Sequence, residues 1–255
     1  MSTLPAPDPR LGALLNLGDN ALILGQRLGE TVTTGPELEE EMATANFALD
    51  YVGQARLFFS YAGDVENNGR DEDAFAFRRD SAAFRNVLLV ELPNGDFAFN
   101  IARQFLYESF YLLQLQALAS SSDQRLREIA ARAEKEIRYH LRHQVNWMLR
   151  LGDGTQESHR RMQTAIDELW RYTGEMFVTG PDELAAVEQG VLPDPSTLID
   201  DWHTAVSETL GKATLNVPDE QWMASGGKQG THTEHLGYLL AEMQFLPRAY
   251  PDASW

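Results

Sequence analysis

Ile137 and His140 occupy the two slots of a metal-binding helix, yet only the histidine of that pair can ligate. Carboxylate-bridged di-metal centres in four-helix bundles take a Glu and, one turn later, a His from each of two helices. Here the carboxylate slot holds isoleucine. A hydrocarbon cannot coordinate iron, and it fills the space into which a bridging carboxylate would point. The pattern describes a bundle built like an oxygenase that has given up the chemistry.

Other residue groups could carry chemistry, each beside a plainer reading. Glu136 and His140 are also one turn apart, and a simple pair on a helix face accounts for both as well as vestigial ligation does. Glu41, Asp50 and Glu108 could form a carboxylate site, although network or surface roles are commoner for such residues. His232 and His235 have a spacing that can chelate, but no third ligand is evident, which favours capping and packing. The loop Gly226–Gly230 lacks Walker spacing and a preceding strand, so it reads as a hinge or interface loop. Arg138, Arg142 and Arg150 lie on one long helix as a solvated stripe.

The elements that must position these residues are helical. Leu11 to Glu30 reads as a first core helix with Leu15, Leu22, Leu24 and Leu28, closed by Gly29. A second starts at Pro36, with Glu37, Glu39, Glu40 and Glu41 near the positive end of the dipole, and runs to Tyr61. Its stripe is Phe47, Tyr51, Gln54, Phe58 and Tyr61, in which Gln54 needs a partner if buried. Gly63 to Arg79 reads as a loop with short helical turns. Phe84 to Leu92 is the one plausible strand, equally readable as a buried turn of helix, so no sizeable sheet is expected.

Asp96 caps a third helix, Phe97 to Leu118, dense in aromatics. The fourth runs from Asp123 to Arg150, with Ala133, Ile137, His140, Gln144 and Trp147 on its inner stripe. Thr155 caps a fifth to Phe177, with Met162, Ile166, Leu169 and Trp170 on one side. Thr179 to Thr197 is the most linker-like stretch. A helix near Leu198 to Leu215, a flexible loop Ser225–Gly230 and a last helix His232 to Phe245, stopped by Pro247, complete the chain. The expectation is an all-α helical bundle with additional C-terminal helices, residues 1–255 forming one domain.

Composition narrows the class. At 255 residues and 43 % apolar content, the chain can bury a large core and is not a disordered one. It has no cysteine, which excludes disulfides, iron–sulfur clusters and thiolate catalysis. Its 21 Lys+Arg against 38 Asp+Glu give a net charge of −17, which repels a phosphate backbone, so nucleic acid is a poor partner. Met1–Arg10 lacks the basic and apolar regions of a leader, and no apolar run approaches a membrane span. The expectation is a cytoplasmic protein with no membrane partner.

Six segments in chain order, Leu17–Gly25, Leu49–Arg56, Phe84–Glu91, Asn94–Ala98, Tyr139–His143 and His232–Gln244, resemble the family of C subunits of bacterial ring-1,2-phenylacetyl-CoA epoxidases. They span nearly the whole chain. The resemblance implies a ferritin-like fold paired with a homologous catalytic subunit that carries the di-iron centre. It also implies a complex that converts phenylacetyl-CoA to its ring epoxide with O₂ and electrons passed from NADPH by a separate reductase subunit. In that family the C subunit is the structural partner.

The second helix of the catalytic relative resembles Asp-Glu-Ala-Gly-His. Against it, Asp50 to Gln54 replaces Glu by Tyr51 and His by Gln54. Its fourth helix resembles Lys-Glu-Glu-Ser-Phe-His, which sets Ile137 at the Glu and His140 at the His. The first-helix ligand position falls at Leu22, and a third-helix carboxylate persists as Glu108. The resemblance thus implies no catalytic, cofactor-binding or metal-binding residue in this chain. It leaves Leu22, Tyr51, Gln54, Glu108, Ile137 and His140 as vestigial positions.

On this reading the chain scaffolds the catalytic subunit through an obligate interface of about 2,000 Å² or more, and an exposed apolar docking face would encourage self-association when the partner is absent. Two alternatives stand beside it. One is a di-iron oxygenase active in its own right, against which Ile137 argues. The other is an acyl-CoA-binding module, which requires Arg and Lys clustered along one groove.

Overall fold

The computed structural model describes residues 8–219, 222–251 and 253. Residues 1–7, most of the Met1–Arg10 stretch weighed as a leader, lie outside the described residues. Among the described residues there is no strand. Four long helices make the frame: α1 (Pro9–Gly29), α2 (Leu38–Glu66), α5 (Phe97–Ala117) and α6 (Gln124–Gly152). Short helices α3 (Glu72–Phe77) and α4 (Leu88–Glu91) lie between α2 and α5. Then come α7 (Gln156–Trp170), α8 (Leu184–Glu188), α9 (Ile199–Lys212), α10 (Glu234–Met243) and α11 (Phe245–Ala249). No helix is long and apolar enough to cross a membrane among the described residues.

Local chemistry sets the helix starts. The carboxylates of Asp8, Asp96 and Asp123 accept backbone N–H groups of the first turns of α1, α5 and α6. Thr155 and Ser158 form a reciprocal capping box on α7. These bonds satisfy donors that the helix itself cannot. The long helices then pair as two hairpins, α1 along α2 and α5 along α6, around one continuous apolar core from Ala13 to Leu240. Trp202, fully buried, anchors α9 by donating from Nε1 to the Leu106 carbonyl (3.1 Å) while packing on Trp170 and Phe177.

Several boundaries differ from the sequence expectation, each for a physical reason. Helix α2 starts at Leu38 because Glu37 is extended (φ −149°, ψ 156°), and it continues to Glu66, where Asn67 adopts the left-handed conformation (φ 52°). Gly63 lies inside the helix, at a point where a Cβ would meet the Arg70 carbonyl oxygen at 2.4 Å. The possible strand at Phe84–Leu92 is extended backbone leading into the single turn of α4. The fifth helix stops at Trp170 instead of Phe177. Beyond it, Glu175 in a short 3₁₀ turn sends its carboxylate to the backbone N–H groups of Leu88 (2.8 Å) and Gly226 (2.7 Å).

The linker reading of Thr179–Thr197 is overturned. The segment contains α8, buries Ala186, Val191 and Leu192, and is pinned by Ser121 Oγ donating to the Val191 carbonyl (2.6 Å). The flexible-loop reading of Ser225–Gly230 also fails. Gly227 and Lys228 are buried, and Lys228 Nζ pairs with buried Glu183 (3.2 Å) and donates to the Val178 carbonyl (2.8 Å). The last helix divides into α10 and α11 at Gln244, whose amide donates to the Ala76 and Arg79 carbonyls. Pro247 sits in the first turn of α11, where a missing N–H costs nothing. On α6, Met148 takes the core position expected of Trp147, which is half-buried and donates to Glu40 Oε2 (2.9 Å).

The Lys228–Glu183 pair gives a direct stability test. Lys228→Ala leaves Glu183 buried and uncompensated, so unfolding free energy falls by about 3–5 kcal/mol, read as a lower urea midpoint with an unchanged slope.

Candidate functional site

The polar heart of the molecule lies where α2, α5 and α6 face one another. Helical spacing directs Tyr51 and Gln54 inward from α2, Glu108 and Tyr111 from α5, and Ile137, His140 and Gln144 from α6. All seven are buried, and Ile137, His140 and Glu108 are fully so. Tyr51 donates its hydroxyl to Glu108 Oε1 (3.0 Å). Tyr111 donates to Gln54 Oε1 (3.0 Å), while the Gln54 amide donates to Glu136 Oε2 (2.9 Å). Tyr51 and Gln54 are thus each bonded to a neighbour.

His140 lies on the seam between the hairpins, its ring against Phe47 (centroids 4.2 Å apart) and Tyr51 (5.5 Å). Its Nε2 bonds to the half-exposed Asp50 carboxylate at 2.9 Å. That bond makes Nε2 the donor and leaves Nδ1 facing Glu108 Oε1 at 3.8 Å, beyond hydrogen-bond range. Among the described residues, His140 Nδ1, Glu108 Oε2 and Gln144 Oε1 are buried atoms without a partner. A second bridge follows one turn on, with His143 Nε2 and Trp147 Nε1 both 2.9 Å from Glu40 Oε2.

Burial dominates the electrostatics. It pushes the Glu108 carboxyl well above the ordinary range, only partly opposed by the Tyr51 hydrogen bond, a shift that favours the neutral acid. Burial likewise raises Tyr51, Tyr107 and Tyr111, which stay phenols. Tyr51, Gln54, Glu108 and Tyr111 form a hydrogen-bonded packing unit between α2 and α5.

The donor set does not fit a di-iron centre. Such a centre takes about six carboxylate and imidazole ligands, whereas the slots here hold Tyr51, Gln54 and Ile137. Among the described residues, no three His, Cys, Asp or Glu side chains converge as a metal ion needs. Five of the six positions singled out in the sequence meet at this heart. Leu22 instead lines an outward groove between α1, α2 and α3 with Val52 and Phe59.

Glu136 and His140 do not pair with each other, since Glu136 holds Gln54 and Arg132 while His140 holds Asp50. Glu41 is not part of the cluster, and Asp50 and Glu108 approach His140 from opposite ring nitrogens. His232 serves packing: Nδ1 contacts Glu91 Oε2 (2.7 Å), whose other oxygen accepts from Thr233 N (2.6 Å) and Oγ1 (2.8 Å). Arg138 pairs with Glu134, Arg142 lies over Tyr139 and Arg150 over Trp147. They form no groove. Sequence reasoning missed Tyr111 and the Glu40–His143 bridge. Gln104, Glu108 and Tyr111 succeed one another at spacings of four and three, a signal that marks the inner face of α5.

Two comparisons bear on the chain as a whole. Residues 6–255 match the family model described as phenylacetic acid catabolic protein. The chain is also 49 % identical over 241 residues to the C subunit of 1,2-phenylacetyl-CoA epoxidase from Escherichia coli (strain K12), covering 94 % of this chain and 97 % of that protein.

Glu108 sets a pH dependence with a definite sign. Its native-state value is raised, so its stabilising contribution is complete below the ordinary carboxylate range and is lost as pH rises towards the native value. Between those limits, stability declines by about 1.4 kcal/mol per pH unit. Glu108→Gln, an uncharged near-isostere, removes that slope, as urea titrations at a series of pH values will read. Tyr51→Phe strips Glu108 of its one bonded partner and lowers stability by roughly 1–3 kcal/mol at pH 6.

Proposed function

The chain belongs to the phenylacetic acid catabolic protein family, and from that premise we propose that it is the non-catalytic, structural subunit of a phenylacetyl-CoA epoxidase. In this reading it is a ferritin-like bundle that scaffolds a homologous catalytic subunit. That partner holds the di-iron centre and epoxidises the ring of the CoA thioester, and a reductase subunit supplies the electrons. The cytoplasm is its place of work, since the substrate is a CoA thioester.

The observation that supports this most is the filling of the ligand slots. Ile137 is sealed in hydrocarbon, and Tyr51 and Gln54 are hydrogen-bonded to Glu108, Tyr111 and Glu136 instead of being left aimed at a common point. Four or more carboxylates in a dry bundle with no cation would repel one another and lose hydration. Neutral replacements remove that cost. The bundle becomes a rigid body whose value lies in its outer surface.

Iron analysis of the isolated chain and of the complex co-purified with its other epoxidase subunits tests the reading. Stoichiometric iron and turnover of phenylacetyl-CoA are expected in the complex alone. Two tightly bound iron atoms in the isolated chain, with turnover, overturn the proposal. Ile137→Glu places an unpaired acid in the sealed core, and it is expected to destabilise the isolated chain by about 2–4 kcal/mol without recruiting iron.

A further inference from the structure

Helix α2 carries two seams on opposite faces. The inner one, Phe47, Tyr51, Gln54, Phe58 and Tyr61, faces the core. The outer one runs through Leu38, Met42, Ala45, Leu49 and Val52, advancing by four, three, four and three residues. At about 3.6 residues per turn this alternation keeps the five side chains in one line, roughly half a circumference from the inner seam. It is the spacing of a helix that packs against a second helix, whereas the outer face of a surface helix is ordinarily polar. Yet Leu38, Met42 and Leu49 are 67, 59 and 68 % exposed.

The seam does not end at Val52. It passes into a groove of about 350 Å³ between α1, α2 and α3, floored by Leu22, Ala55, Phe59 and Phe77. This accounts for the outward position of Leu22. An apolar strip that leads into a recess suits a helix ending in a bulky apolar side chain.

Charge decides what kind of helix. Glu37, Glu39 and Glu41 surround Leu38 at one end, and Glu72 and Asp73 line the groove at the other, where Arg56 is already paired with Glu72. A second copy of this chain cannot meet those conditions. Parallel pairing sets each acidic end against itself, antiparallel pairing sets one acidic end against the other, and like charges so juxtaposed oppose docking.

We infer that the outer face of α2 is the docking seam for a long helix of a different chain, apolar along its contact line and carrying Lys or Arg at both ends. This rests on the reading of the chain as a structural subunit, and it names the surface by which the partner is held.

The test uses the full chain with its own epoxidase subunits. Met42→Lys/Leu49→Lys is expected to weaken the complex roughly 30-fold or more, the scale of a buried hot spot, with an unchanged melting temperature because both residues are exposed. Tyr238→Lys/Phe245→Lys, on the exposed apolar patch of α10 and α11, leaves affinity unchanged. Glu37→Lys/Glu39→Lys slows association, as does added salt on the wild-type chain. Unchanged affinity in the α2 variant overturns the seam while the subunit reading survives, and loss in the α10–α11 variant instead moves the interface there. A chain that alone sediments as a dimer, dissociated by Met42→Lys/Leu49→Lys, overturns the heterologous occupant in favour of a second copy. A wild-type chain that binds none of the other subunits overturns the subunit reading and the seam with it.

Discussion

A carboxyl group in the dry middle of a helix bundle is costly as an anion unless a metal, a cation or a proton offsets it, and burial raises Glu108 well above the ordinary carboxylate range. The groups around it match that burial. The phenol of Tyr51 donates to it, the amide of Gln54 spans Tyr111 and Glu136, and Ile137 occupies the room a second acid would need. Burial, not a neighbouring charge, is what raises the Glu108 carboxyl. A metal-bound relative would have to reverse each substitution together, because any acid added singly finds no partner.

The two hairpins meet across α2 and α6 largely through polar bridges: Asp50 to His140, Glu40 to His143 and Trp147, and Glu136 to Gln54. Such bonds fix register more than they add stability. Stability comes instead from the one apolar core that both hairpins share and from α9, which Trp202 fastens to α5. The division suits a rigid body, with hydrocarbon supplying cohesion and directional bonds setting the alignment of the helices.

The sequence made the four long helices legible, since each combines a capping residue or acidic first turn with an apolar stripe of helical period. It also made the inner stripe of α6 legible, because Ile137 and His140 stand three residues apart and so share one helix face. Long-range polar pairing was not legible. Nothing local tells Lys228 that Glu183 lies beside it, or Glu175 that it will hold the Gly226 N–H, so glycine-rich and proline-rich stretches read as loop and linker while they are buried. Leu22 failed differently: on a helix buried almost all round, periodicity does not say which neighbour a leucine meets. The outer line of α2 was visible in its four-three alternation, but it competes with the inner line on the same helix.

The segment from Gly226 to Thr233 completes the hydrogen bonding of two interior acids: Gly226 and Lys228 join Leu88 on Glu175, and His232 and Thr233 join Asn86 on Glu91. Those acids belong to parts of the chain made far earlier during synthesis. Until this late segment leaves the ribosome, each of these acids has only part of its hydrogen-bond set, so burying it costs more. A chain cut short before Gly226 would therefore bury two under-satisfied carboxylates and lose stability in proportion.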